Sequence, residues 1–388
     1  MLILAVPSFS DEKPPVDYIV IELAGENTQA SLLENIVKDY LVQTGQADAV
    51  EDIELKNIPE VLKINSFAFV GAENKKTSKK MKLKIKNYDL PDVEPSFLMF
   101  SNHPEKVASY GVLFNASCIY RKKVRFQYYH LSDLENENPY MSLRFYNPDK
   151  DKTARLYISG DMKGPSKNYM KVGHTNNIGF LESKNNRRGV IYNIKPGEEL
   201  ILFNYEMPHK ELFSGILEMY LLDGPPVWFY LFSTRTRDEE PKYPPVSSEV
   251  DTHARGVYMI SDLTYDVRFD TGSKEEYILF GDTPLRNLFP GKHLAGDYGT
   301  IYNIDLDIKE TTGKPCKVEI IFQPRGGVAS GTFILDGRLL EVPCTRAYIE
   351  HKIWSYKLGP WEARTVNIKT LPEGASYYPI RIIFRTVQ

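Results

Sequence analysis

A chain of 388 residues with 42% hydrophobic and 26% charged side chains has room for two or three separately cored domains and is too apolar to be disordered. Its net charge of −3 gives no global drive toward nucleic acid or an anionic membrane, and three cysteines, none at CxxC spacing, exclude a disulfide framework and leave structural zinc unsupported. The 25 Tyr and 19 Phe, set among 25 Gly and 25 Pro, tilt the composition toward pleated sheets separated by turns.

Residues 1–10 read as the rear of a signal peptide. Leu2-Ile3-Leu4-Ala5-Val6 ends an apolar stretch, small residues follow, and a basic start is missing. Export to the cell envelope or the extracellular space is the expectation. No run of 18 apolar residues occurs elsewhere, so no transmembrane span is expected. Residues 11–90 predict a small α+β module. Val16–Leu23 is a strand, and Leu32, Leu33, Ile36, Val37, Tyr40 and Leu41 fall at helical spacing before a stop at Gly45. Extended runs follow over Asn65–Val70 and Met81–Tyr88. In the second, Lys80, Lys82, Lys84 and Lys86 alternate with apolar residues, which sends all four ammonium groups to one side. A solvated strand face that also discourages edge pairing is the plain reading; a stripe for an anionic polymer, wall glycan or nucleic acid, is the other.

From residue 91 onward the chain reads as one motif written twice. Phe97-Leu98-Met99-Phe100 aligns with Tyr277-Ile278-Leu279-Phe280, and Tyr110–Asn115 with Tyr298–Asn303. Ser142–Pro148 aligns with Val318–Pro324, Pro196 with Pro360, and Pro208 with Pro372. Short alternating strands at about ten-residue spacing indicate a sandwich or barrel and argue against parallel βαβ units. The expected fold class is therefore mainly β: two tandem antiparallel β-sandwich domains, Ig-like or jelly-roll type, over 91–237 and 256–388, joined by a Pro-rich linker over 238–255 and preceded by the small α+β N-terminal module.

Chemistry is harder to find. No two of the seven histidines lie two to five residues apart, so they read as scattered surface or turn residues and no metal site is expected. Asn147–Thr153 begins like a calcium loop but has Lys152 at its glycine position and Ile158 at its glutamate position, so it reads as a hairpin turn. Pro324–Gly331 lacks the Gly-Lys-Ser/Thr ending of a phosphate loop and reads as a mobile hairpin tip. There is no GxSxG elbow, and Asp305 with Asp307 is too common a pair to indicate glycoside hydrolysis. Cys316 and Cys344 fall in one copy and could pair, although buried free thiols are the better reading for Cys118, Cys316 and Cys344.

Aromatic residues near the carboxyl end form the one constellation worth following. Trp354 and Tyr356 share a strand face, Trp361 stands just past a Gly-Pro turn, and Tyr377 and Tyr378 come soon after. Exposed, such rings stack on sugars; buried, they are core, as tryptophan usually is. Trp228, Phe229 and Tyr230 lie near the end of the first copy at no matching position. The arrangement resembles, generically, the tandem sandwich modules of bacterial surface proteins, which implies a spacer or binding surface. The functional expectation is a non-catalytic exported or cell-envelope protein that binds polysaccharide or another envelope protein, with no nucleic acid and no cofactor. A carbohydrate-binding protein using Trp354, Tyr356, Trp361, Tyr377 and Tyr378 is the alternative. A glycan hydrolase with spatially assembled carboxylates comes third.

Overall fold

A computed structural model describes residues 18–240 and 253–387. The expected leader over 1–10 and most of the 238–255 connection lie outside them. Among the described residues the chain is mainly β, with 54% in strands, two α-helices, several antiparallel sheets and no closed barrel. It divides into two compact units, Met1–Leu90 and Pro91–Gln388.

In the first unit, β1 (Tyr18–Ala24) leads to α1 (Ala30–Gln43), followed by β2 (Ile53–Lys56), β3 (Ser66–Asn74) and β4 (Lys79–Tyr88). The strands pair in the order β1-β4-β3-β2, with β1 and β4 parallel and the others antiparallel. Helix α1 buries Leu33, Val37, Tyr40 and Leu41, the one-sided spacing read from the sequence. It stops at Gly45, whose φ of 70° is the left-handed conformation that glycine adopts without strain. Met81, Leu83 and Ile85 are buried, which leaves the alternating lysines on the opposite face.

Besides a two-residue strand at Lys106–Val107, the second unit begins with nine strands: β5 (Phe97–Ser101), β6 (Gly111–Cys118), β7 (Lys123–Ser132), β8 (Tyr140–Tyr146), β9 (Ala154–Ser166), β10 (Gly189–Ile194), β11 (Glu199–Glu206), β12 (Leu212–Asp223) and β13 (Val227–Thr234). Helix α2 (Tyr169–Asn185) lies between β9 and β10. One sheet runs β5-β7-β12-β9-β10 and the other β11-β8-β13-β6. Ring contacts join them: Phe126 of β7 meets Phe114 and Phe229 at 5.1 and 5.2 Å, and Phe213 of β12 meets Phe203 at 4.8 Å.

After β14 (Arg255–Tyr258), which pairs onto β5, nine more strands follow. They are β15 (Asp262–Asp270), β16 (Glu275–Phe280), β17 (Ile301–Lys309), β18 (Cys316–Pro324), β19 (Ala329–Leu335), β20 (Arg338–Thr345), β21 (His351–Leu358), β22 (Ala363–Thr370) and β23 (Ile380–Val387). Their sheets run β15-β17-β22-β19-β20 and β16-β23-β18-β21, and both sheets contribute to a single apolar cluster. Numbered within each set, the pairing scheme is the same: strands 1-3-8-5-6 in one sheet and 7-4-9-2 in the other. In both sets the first and third strands are parallel.

Several expectations need correction. Ser142–Pro148 and Val318–Pro324 fall on equivalent strands, β8 and β18, but the other aligned blocks do not: Phe97–Ser101 is the first strand of its set and Tyr277–Phe280 lies in the second. A second helix, α2, adds 17 residues inside the first set, where the sequence reads as strands and turns. The turn at Pro324–Gly331 is no hairpin tip. It crosses from one sheet to the other, and a Cβ on Gly326 would overlap the Tyr378 carbonyl. Cys344 is exposed, Cys118 alone is buried, and all three thiols are free. The turn reading of Asn147–Thr153 holds in detail, since Asp149 Oδ1 accepts from the amides of Asp151 and Lys152 at 2.8 Å.

Candidate functional site

Strand β7 carries Arg125, Gln127 and Tyr129 on the side facing away from the aromatic core, which an isolated sheet would leave to water. Here that face is covered. Arg125 is 0% exposed, and its guanidinium donates to Glu218 of β12 at 2.8 Å and to Asp262 at 3.0 Å. It also donates to the carbonyls of Ser261 at 2.5 Å and Gly299 at 3.0 Å. Lys123 and Lys184 reach the same Glu218 at 2.6 and 3.4 Å. Burial alone would raise the Glu218 pKa, but Arg125, Lys184 and Lys123 hold it well below the usual carboxylate range. Helix α2 lies over this face, and its Phe180 and Leu181 cluster with Ile301, Ile334 and Leu371 from the second set. Gly173 makes the approach possible, because a Cβ there would overlap the carbonyl of Gly374.

Further along β7 the covered face opens into a cavity of about 490 Å³. Gln127 and Tyr129 line it from β7, and Phe100, Asn102 and Glu105 from β5 and the turn after it. Tyr169 and Met170 enter from the start of α2. Tyr298, Val328 and residues 374–377 close the far wall from the second set, and His253 stands at the rim. Its dominant chemistry is aromatic. Tyr129, Tyr169, Tyr298 and Tyr377 present four phenol rings; Tyr169 donates to the Lys210 carbonyl at 2.8 Å and Tyr298 to that of Ser376 at 2.6 Å, which fixes two of them.

Burial, reinforced by the nearby Glu105 carboxylate, pushes the Tyr129 and Tyr298 phenols well above their ordinary value, so both rings are neutral at any physiological pH. Glu105 is paired with His253 at 3.0 Å. Two amide oxygens are left over. Gln127 is 1% exposed, and its Oε1, like Oδ1 of the buried Asn102, has no hydrogen-bond partner. Buried acceptors without donors cost free energy, on the order of 1–3 kcal/mol each.

The residues read from the sequence as an aromatic platform are dispersed. Tyr377 lines the cavity and is 62% exposed. Tyr378 is turned inward, edge-on to Tyr298 at 5.7 Å, and accepts from the Glu373 amide at 3.2 Å. Tyr356 is buried in the cluster of the second set and donates to Asp336 at 2.7 Å, while Trp354 packs against the same cluster. Trp361 is 69% exposed beside Gly313, with its amide held by Glu310 at 2.8 Å. Trp228 is exposed on β13 and Phe229 is core. Asp305 and Asp307 share the outer face of β17, where Asn367 and Thr365 donate to them.

The histidines are not all surface residues. His130 is fully buried between Ser101 Oγ and the Pro104 carbonyl, each 2.9 Å away. Among the described residues no three His, Cys, Asp or Glu side chains gather as a metal site would require. Sequence reasoning missed Asn102, Glu105, Gln127, Tyr129, Tyr169, His253 and Tyr298, which lie far apart along the chain. Tyr377 was the one signal pointing to this place.

No family model matches the chain, and no curated protein matches it. Solved structures similar to it include the PBSX exported protein XepA, at 8% identity over 72% of this chain and 86% of that one, with a TM-score of 0.17. Tripeptidyl peptidase 2 is 11% identical over 82% of this chain and 26% of that one, TM-score 0.19. The CUB1-EGF-CUB2 region of human MASP-1/3 is 9% identical over 71% and 99%, TM-score 0.18. At these scores the likenesses carry no argument.

Proposed function

We propose that this is a non-catalytic binding protein built on two tandem β-sandwich modules, and that it takes a neutral, polyhydroxylated ligand of the saccharide class in the tyrosine-lined cavity. The shared strand scheme of the two sets supports the tandem arrangement. The observation that carries the ligand reading is the set of four tyrosine rings, Tyr129, Tyr169, Tyr298 and Tyr377, gathered around one cavity. Tyrosine faces stack on the apolar faces of sugar rings, and phenol hydroxyls exchange hydrogen bonds with theirs. A charged guest fits less well, since Glu105 and His253 lie 3.0 Å apart and engage each other. The same pairing weakens a hydrolytic reading: among the described residues Glu105 is the single carboxylate lining the cavity, where glycoside hydrolysis needs two.

Location in the cell envelope or outside the cell belongs to this reading and rests on the apolar run at Leu2–Val6. Cell fractionation tests it. Calorimetric titration of the full chain with soluble neutral oligosaccharides, cellulose-, starch- and chitin-derived, tests the ligand. Saturable heat with at least one series supports the proposal, and no heat from any series removes it.

A further inference from the structure

We propose that the open face of the sheet in the first unit binds single-stranded nucleic acid, with Phe67 and Phe69 as stacking platforms and Lys80, Lys82, Lys84 and Lys86 as phosphate contacts. The register builds this face. Lys82, Lys84 and Lys86 of β4 stand opposite Gly71, Phe69 and Phe67 of β3. Tyr18 of β1 stands opposite Lys82 on the other side, with its ring 5.1 Å from that of Phe69. The aliphatic side of the same strands is buried, so nothing in the core requires aromatic residues on the outer side.

Two large rings on a solvent face are costly without a purpose. Phe67 is 48% and Phe69 is 50% exposed, with centroids 5.5 Å apart. The Lys84 ammonium lies 4.9 Å from one ring centre and 5.8 Å from the other, which holds a cation beside both stacking surfaces. Among the described residues no carboxylate lies within ion-pair distance of Lys80, Lys82, Lys84 or Lys86, while the neighbouring Lys56, Lys75 and Lys76 all have acidic partners. The four unpaired charges run along about 20 Å of strand, the spacing of a linear polyanion rather than of a single anion.

A strand of nucleotides satisfies both halves of this pattern. Its phosphates meet the lysines, and its bases stack on aromatic faces whatever their sequence. The rings also sit on β3, a central strand of the unit's sheet, where they form a shallow platform. Insertion into a bilayer calls for side chains on a protruding loop. A polyanionic glycan would also meet the lysines, but it carries no planar aromatic base to stack on two adjacent phenyl rings. The net charge of the whole chain does not bear on a patch this local.

The test is fluorescence anisotropy of a labelled oligothymidylate of about 15 nucleotides with the full-length chain, at about 50 mM and then higher salt. Saturable binding is expected, with F67A/F69A weakening it by about tenfold or more and K82Q/K84Q lowering the log–log salt slope by about 1.4. Both pairs are surface residues, and circular dichroism confirms that each variant folds. Absence of binding by the folded wild type would overturn the proposal. So would F67A/F69A binding as tightly as wild type, or heparin or phosphatidylserine vesicles binding where the oligonucleotide does not.

Discussion

Gly173 in α2 and Gly374 in the loop after β22 meet backbone to backbone, so closely that a methyl group on Gly173 would overlap the Gly374 carbonyl. That contact lets the helix of the first set lie on the second. Gly173→Ala should therefore destabilise the second unit by overpacking, about 1–3 kcal/mol, read as a lower thermal midpoint. Gly71→Ala, where the new Cβ would meet Lys56 at an ordinary 3.7 Å, should be close to neutral.

Glu218 is the anion to which Arg125, Lys123 and Lys184 all point. Its removal in Glu218→Gln leaves those cations short of a counter-charge in a buried place, so a loss of about 3–5 kcal/mol is expected in urea unfolding. Because the folded pKa lies below the ordinary 4.5, the Glu218 contribution is complete above that value and is lost as the pH falls through the acid range. The wild type should lose more stability than the variant on going from about pH 5 to about pH 3.

His174 behaves in the opposite sense. Its Nδ1 lies 3.0 Å from the buried Glu373 and its Nε2 3.2 Å from Glu341. The hydrogen bond to Glu373, opposed by burial and aided by both carboxylates, raises the imidazole above its ordinary 6.5. The pair stabilises the contact of α2 with the second set below that pH, and the gain disappears as the pH rises through the folded value. Hydrogen exchange across α2 should accelerate between about pH 6 and pH 8 in the wild type by more than hydroxide catalysis alone, with no such excess in His174→Gln. The energy at stake is about 2 kcal/mol, that of a hydrogen bond to a charged group.

Tyr377 and Trp361 separate the cavity from the aromatic platform expected from sequence. Both are exposed, so neither substitution should change the stability by more than about 0.5 kcal/mol. Tyr377→Ala should weaken saccharide binding by about tenfold in the same calorimetric titration, while Trp361→Ala should leave it unchanged. The reverse pattern would move the ligand to the Gly313–Trp361 turn.

Legibility in the sequence followed burial. Strand β17 alternates as read, with Ile304, Leu306 and Ile308 inside and Asp305 and Asp307 outside, because one face meets water. The run Lys123–Tyr129 has the same alternating look, yet Arg125 and Gln127 are buried as deeply as Phe126, since α2 and the second set cover them. Nothing local marks that cover. Helix α2 escaped for a related reason: its buried side includes Gly173, Asn176 and Asn177, which erase the apolar stripe by which helices are recognised. Asn102, Glu105, Tyr129 and Tyr298 become neighbours only once strands far apart in the chain have paired.

The reach of Arg125 across to Ser261, Asp262 and Gly299 has an evolutionary and practical corollary. A guanidinium rooted in the earlier half is solvated by main-chain oxygens of the later half, so the later half serves as its solvent. Cutting the gene between them would bare this face of β7 to water and leave Arg125 with Glu218 and none of these partners. Halves joined in this way forfeit the interchangeability that lets beads-on-a-string proteins shuffle their parts.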